Sequence, residues 1–356
     1  MSATIASDGA QAAFRTHLRY LDAWRTATAE TYAPDILFGS EGPTSRGLAA
    51  AVRADPDWQR LQRRPVDVDL LKRTIFNAWG TELLLALQEE LAPSPEEQEI
   101  LALANQWSVV QSYYALEKGT IALTIALGGQ KPDTHEKTRK LYIDFWSRRP
   151  YMPFRVTVKE AGPVGFPPGA DTSVDHTWTT VHDRNCMGFI ATCLRTTRAE
   201  WVDAGLSEER ARKARARRVA WETEERQRLT AGNRPRQKPT FPDRANLDAV
   251  ETLAVRNRAR PAAFLDYLYR LRIRSNYEDA RMFTEGPTSS MEARQMHQYL
   301  SRLVGWNLLV MELWMSMLVG TANFRAIVES WLNNKVAANA EHGVATRVPL
   351  LFPPKR

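Results

Sequence analysis

The sequence predicts an all-α protein, and three observations carry that reading. Apolar residues recur at the spacing of a single helical face over long stretches. Glycine, proline and short polar capping residues separate those stretches. Only 154–159 alternates apolar and polar residues with the period of a strand, so one small β element is expected, inside an insertion. With 356 residues, 44% of them apolar, the chain can bury a sizeable core without cross-links.

The elements follow in order. Phe14, Leu18, Leu21 and Trp24 predict a helix over 8–31; the Gly-, Pro- and Ser-rich 32–47 predicts a loop, and 48–61 a short helix. Asp67 or Asp69 is the expected cap of a helix bearing Leu70, Leu71, Ile75, Phe76 and Trp79, ended by Pro93 and Pro95. A long central helix is expected over 96–127, closed by Gly128-Gly129, and Asp133 or Thr134 is placed to cap the helix that starts near His135. Beyond the expected strand come a helix over 177–205, a second and strongly charged helix over 207–231 capped by Ser207, and an exposed Pro- and Gly-rich linker over 232–244. Helices resume over 246–258 and 261–285; Ser289 or Ser290 caps a long helix to about 318, and a helix over 323–339 leads to a Pro-rich tail. No internal repeat is present.

Two segments far apart in the chain read as one domain split by an insertion. The first, 111–141, opens with Tyr113-Tyr114 and passes Gly128-Gly129 to His135; the second, 264–286, puts Arg270, Arg272 and Arg274 ahead of Asn276-Tyr277. In this order the chain resembles the HEPN superfamily over roughly 100–145 and 262–320. The resemblance implies an antiparallel helical bundle formed by 96–149 and 261–340, with 1–95 as an N-terminal helical region and 150–260 as the insertion. It also implies a homodimer and a bacterial protein of anti-phage or toxin type that engages RNA or a nucleotide, with metal-independent RNA cleavage as the candidate activity.

In HEPN ribonucleases an Arg and a His five to seven places after it act on the phosphodiester. The Arg stabilises the charged transition state and the His moves the proton. Arg274 with Asn276 matches the Arg side, and both are the candidate catalytic residues. None of the six histidines has an Arg five to seven places before it, so the sequence departs from the family pattern. His135 or His297 could supply a base by folding back. Equally, Arg270, Arg274 and Glu278 stand four apart and can form a salt-bridge ladder on a bundle face. Tyr113 and Tyr114 read as core residues able to stack on a base, and His135 packs a turn or, with Lys118 and Arg139, faces an anion.

The net charge of +7 is concentrated: 195–238 holds thirteen Lys or Arg against seven Asp or Glu. Arg210, Lys213 and Arg217 fall on one helical face with Trp221 one turn beyond. With Arg270 they are the candidate nucleic-acid contacts. The alternative is a solvated helix balanced by Glu208, Glu209, Glu222, Glu224 and Glu225, with 150–260 recognising a protein partner and the bundle serving as a non-catalytic scaffold.

Cys186 and Cys193 form no CxxC, and His176, His182, Asp175 and Asp183 match no standard ligand spacing, so no metal or cofactor is expected. P-loop, dinucleotide and serine-nucleophile motifs are missing as well. The first residues lack the pattern of an export signal, and the apolar run 303–320 carries Asn307 and Glu312, so a cytoplasmic location without a membrane span is expected.

Overall fold

The computed structural model describes residues 2–33, 41–61, 65–90, 98–158, 181–278, 280–333 and 343–354. It is predominantly helical, as expected, and holds no strand among the described residues. Where a strand was expected, residues 151–155 turn and Val158 forms a single antiparallel bridge with Ala262. The bridge ties the end of the insertion's first segment to the start of the second bundle segment. The rest of the expected β element and loop, with Asp175, His176 and the side chains of His182 and Asp183, lies outside the described residues.

Helix α1 spans Ser2–Tyr32 and α2 spans Glu41–Ala54, so helix starts well inside the expected loop. Gly47 allows the close approach of the two. A Cβ there would stand 1.9 Å from the Tyr32 carbonyl oxygen, far inside contact distance. A single turn, α3 (Pro56–Gln59), is capped by Asp55, which accepts from Asp57 N at 2.8 Å. Helix α4 (Val68–Glu90) starts on Asp67, whose carboxylate accepts from Leu70 N at 2.9 Å. Helix α5 (Gln98–Ala126) is the central element, packed along both α4 and the last long helix. It ends with Gly128 at φ 78, and Thr134 caps α6 (His135–Trp146) by accepting from Lys137 N.

Two expected helices prove to be one: α7 runs unbroken over Val181–Thr230 for 50 residues, about 75 Å at 1.5 Å per residue. Ser207 caps nothing there. Gly205 and Ser207 are weak helix formers, but no proline interrupts them and the Ala-, Arg- and Glu-rich flanks favour the helical state. The first half of α7 packs on α1. The chain returns to α8 (Ala249–Arg258), which begins with a capping box between Asp248 and Glu251.

The expected helix over 261–285 breaks. Helix α9 covers Phe264–Ile273, residues Arg274–Glu278 form a π-helical turn, and α10 covers Arg281–Thr284. Helix α11 (Ser290–Val319) is capped by the Ser289 hydroxyl and is almost wholly buried. By length and composition it could cross a membrane, but it is the core helix of the bundle, and α5 lies along it. Helix α12 (Thr321–Leu332) follows, and the expected Pro-rich tail folds into α13 (Val344–Leu351) with Pro349 inside it.

One hydrophobic core takes in Phe14, Trp24, Trp79, Tyr113, Trp146, Cys193, Tyr267, Trp306 and Phe352. The N-terminal helices and the first half of α7 thus share it with the bundle. The tail is fastened by a buried ionic triad. Arg347 of α13 donates to both oxygens of Glu82 at 2.5 and 2.8 Å and to both oxygens of Glu312 at 2.8 and 2.7 Å, while Trp79 Nε1 donates to Glu312 at 2.7 Å. Burial works against the Arg347 charge, but the two carboxylates outweigh it and push its pKa further up.

Candidate nucleic-acid interface

The π-helical turn carries the two candidate catalytic residues. The Glu278 side chain of the expected ladder lies outside the described residues, and Arg274 finds a partner on another helix. Its Nη2 donates to Glu200 Oε1 of α7 at 2.8 Å, and the same oxygen lies 2.5 Å from Arg270 Nη2. Asn276 is half-buried, and Tyr277 is exposed. Ser275, between them, is locked to α5: its hydroxyl donates to the Gln106 carbonyl at 2.7 Å, and its own carbonyl accepts from Gln106 Nε2 at 2.9 Å. Arg270 is buried, with Nε and Nη1 lacking any hydrogen-bond partner. It is therefore a packed ion-pair member, already neutralised by Glu200.

The histidine beside these arginines is His17, which the sequence reading did not single out. It is buried on the apolar stripe of α1, within hydrogen-bond reach of Tyr267 Oη at 3.2 Å. Burial first, then the charges of Arg270 and Arg274, lower its pKa to about 3. The ring is neutral at physiological pH. The only advance signal was a histidine three residues after Phe14 and four before Leu21, both core positions. His297 instead faces the Ser108 hydroxyl in the core at 3.1 Å, and His135 meets Glu117 and the Tyr113 hydroxyl.

A second cluster joins the two signature segments. Arg272 of α9 lies over Tyr113, Tyr114 and Tyr269 at 5.4, 5.1 and 5.4 Å from the ring centroids. Arg139 of α6 covers Tyr269 at 3.8 Å and Trp201 of α7 at 5.0 Å, and Arg260 covers Trp201 at 4.6 Å. Cation and aromatic ring thus alternate from Tyr114 to Arg260. Asp266 anchors the ladder from beneath, accepting from Arg260 at 2.6 Å, from Arg139 at 3.4 Å and from Ala263 N at 2.9 Å.

Beyond Trp201 the ladder opens into a groove of about 640 Å³ lined by Glu136, Arg139, Glu208, Glu209, Arg212, Arg258 and Arg260, among others. The groove sits at the root of an arm formed by the second half of α7 and the returning chain. Residues 207–246 hold twelve Lys or Arg against six Asp or Glu, a net +6 of the chain's +7.

The returning chain lies along the face predicted to bind. Ala245 N donates to the Arg210 carbonyl at 3.0 Å, Lys213 pairs with Glu251 at 2.5 Å, and Trp221 packs against Phe241 and Arg236. Arg236 also fastens to Glu225 at 2.6 Å and Glu224 at 2.9 Å. Of the predicted contacts, Arg210 and Arg217 stay exposed without an ion pair among the described residues, whereas Lys213 and Trp221 are occupied. The open face is a different one. Arg215, Arg218 and Arg226 fall together on another side of α7, exposed and without ion pairs among the described residues, with Glu222 among them paired to Lys238 at 3.3 Å.

No known family model matches the chain, and no curated protein or solved structure is significantly similar to it.

Proposed function

We propose that this protein engages RNA, gripping a single strand along the arm and the groove at its root. The observation that carries the reading is the arm, where residues 207–246 of helix and returning chain together hold a net +6 of the chain's +7 and Arg215, Arg218 and Arg226 are exposed without ion pairs among the described residues. Lys and Arg on such a face neutralise successive phosphates and release counterions. The half-buried Trp201 and Tyr114, each flanked by cations, add ring faces suited to unpaired bases. The resemblance to HEPN domains points to RNA rather than to another polyanion, and makes defence or toxin systems the first setting to test.

The proposal is binding without cleavage. The Arg274 guanidinium is already engaged by Glu200, and His17, the histidine that feels its charge, is enclosed and held neutral.

Anisotropy titration of a labelled single-stranded RNA across a salt series tests this. The wild type should bind with an affinity that falls linearly with the logarithm of salt, losing about 0.7 of a slope unit for each phosphate contact removed. Joint replacement of Arg215, Arg218 and Arg226 by Glu should weaken binding by tenfold or more. Absence of wild-type binding at low salt would overturn the proposal, as would binding indifferent to the triple substitution.

A further inference from the structure

Arg272 is only 8% exposed, yet among the described residues no carboxylate, carbonyl or hydroxyl pairs with its guanidinium, and its Nε is wholly enclosed without a partner. Three tyrosine rings surround it. Ring contacts offset only part of the cost of taking a cation out of water, and an ion partner is the usual remedy.

The nearby carboxylates cannot serve. Glu117 is taken by Lys118 at 3.0 Å and by His135 Nδ1, and Asp266 by Arg139 and Arg260. Apart from His135, four cations (Lys118, Arg139, Arg260 and Arg272) face two anions, an excess of two positive charges in a half-enclosed cluster. The cluster reaches solvent through Lys118 and His135, whose side chains are 34% and 39% exposed. Half-buried Tyr114 has both Arg272 and Lys118 over its ring, at 5.1 and 5.9 Å from the ring centre.

We infer that Arg272, with Lys118, His135 and Tyr114, is a binding site for a phosphate monoester, the terminal phosphate of an RNA strand or nucleotide. A monoester carries between about −1.5 and −2 at neutral pH, which matches the excess, where an internal phosphodiester brings a single charge. Its oxygens suit the planar guanidinium fork, and the Tyr114 ring suits the base next to the phosphate. The inference rests on the RNA-binding reading for its strand ligand, and the nucleotide ligand separates the two.

The test compares one RNA sequence carrying a 5′-phosphate, a 3′-phosphate or hydroxyls at both ends, bound to the full chain and to Arg272→Met. Thermal unfolding of both proteins with and without a nucleoside monophosphate runs in parallel. One phosphorylated end should bind about tenfold tighter than the hydroxyl strand. Arg272→Met should abolish that preference, keep the hydroxyl-strand affinity and, having lost an unpaired buried charge, melt no lower than the wild type.

Equal binding of all three strands by the wild type would overturn the inference and leave the basic-arm reading standing. A preference that survives Arg272→Met would also overturn it. If no strand binds, the arm reading falls; an Arg272-dependent rise in Tm with the mononucleotide would then still uphold the site, and no rise would remove both.

Discussion

Glu200 of α7 accepts Arg274 at 2.8 Å across 74 residues of sequence, and the same carboxylate oxygen holds Arg270. The two arginines differ in exposure. The Arg270 side chain is 6% exposed and Arg274 27%, so the carboxylate matters mainly as the counter-charge of Arg270. Glu200→Gln should therefore destabilise the fold by about 1–3 kcal/mol. That is below the cost of breaking a fully buried pair, because Glu200 itself is partly solvated. Arg274→Ala should cost under about 1 kcal/mol. Urea unfolding checks both, with the midpoint lower and the slope unchanged; equal effects would mean that the pair to Arg270 carries no special weight.

Incubation of total RNA with the wild type and with Arg274→Ala, in the absence of added metal, should yield no cleavage by either protein. Cutting by the wild type that disappears in Arg274→Ala would restore a nuclease with an unconventional base. His17, the ring closest in charge to Arg274, would then be the first candidate for that base.

His17 predicts a pH dependence of stability. Its folded pKa of about 3 lies below the unfolded value of 6.5, so as pH falls through 6.5 the unfolded chain takes up the proton first. The contribution is complete above pH 6.5 and is lost progressively down to about pH 3. Over the whole window it amounts to roughly 4–5 kcal/mol. His17→Gln keeps a group able to bond Tyr267 but removes the titration, so the difference between wild type and variant should narrow as pH is lowered from 7 to 4. A difference constant across that range would show that His17 does not report this linkage.

The Glu82–Arg347–Glu312 triad makes the tail part of the core. Arg347→Met leaves two carboxylates buried together and should cost about 3–5 kcal/mol. Joint replacement of all three residues by apolar ones of similar volume should come within about 1–2 kcal/mol of the wild type or exceed it. Thermal or urea unfolding distinguishes these outcomes. A triple variant as unstable as Arg347→Met would mean that the triad supplies more than compensated charge.

Much of the helical content was legible because its determinants are local. Ser289, Thr134 and Asp67 cap the helices they precede, and Gly128 takes the positive φ that ends α5. Local signals also misled. Ser207 has the chemistry of an N-cap and stands two residues after Gly205, yet the helical preference of both flanks carries α7 straight through it. The π-helical turn at Arg274 had no local mark, and in the fold Ser275 there is locked to Gln106, 169 residues away.

The sequence by itself determined a predominantly helical chain and a cationic stretch over 195–238, since charge, periodicity and capping are properties of neighbours along the chain. Only the tertiary structure decided which cations are spent and which are free. Glu200 consumes Arg270 and Arg274, Glu251 of α8 consumes Lys213, the returning linker covers Trp221, and Arg272 is enclosed by three tyrosines with no anion paired to it among the described residues. Most of those outcomes depend on which distant helices come within a few ångströms of each other, and packing of the shared core sets that distance.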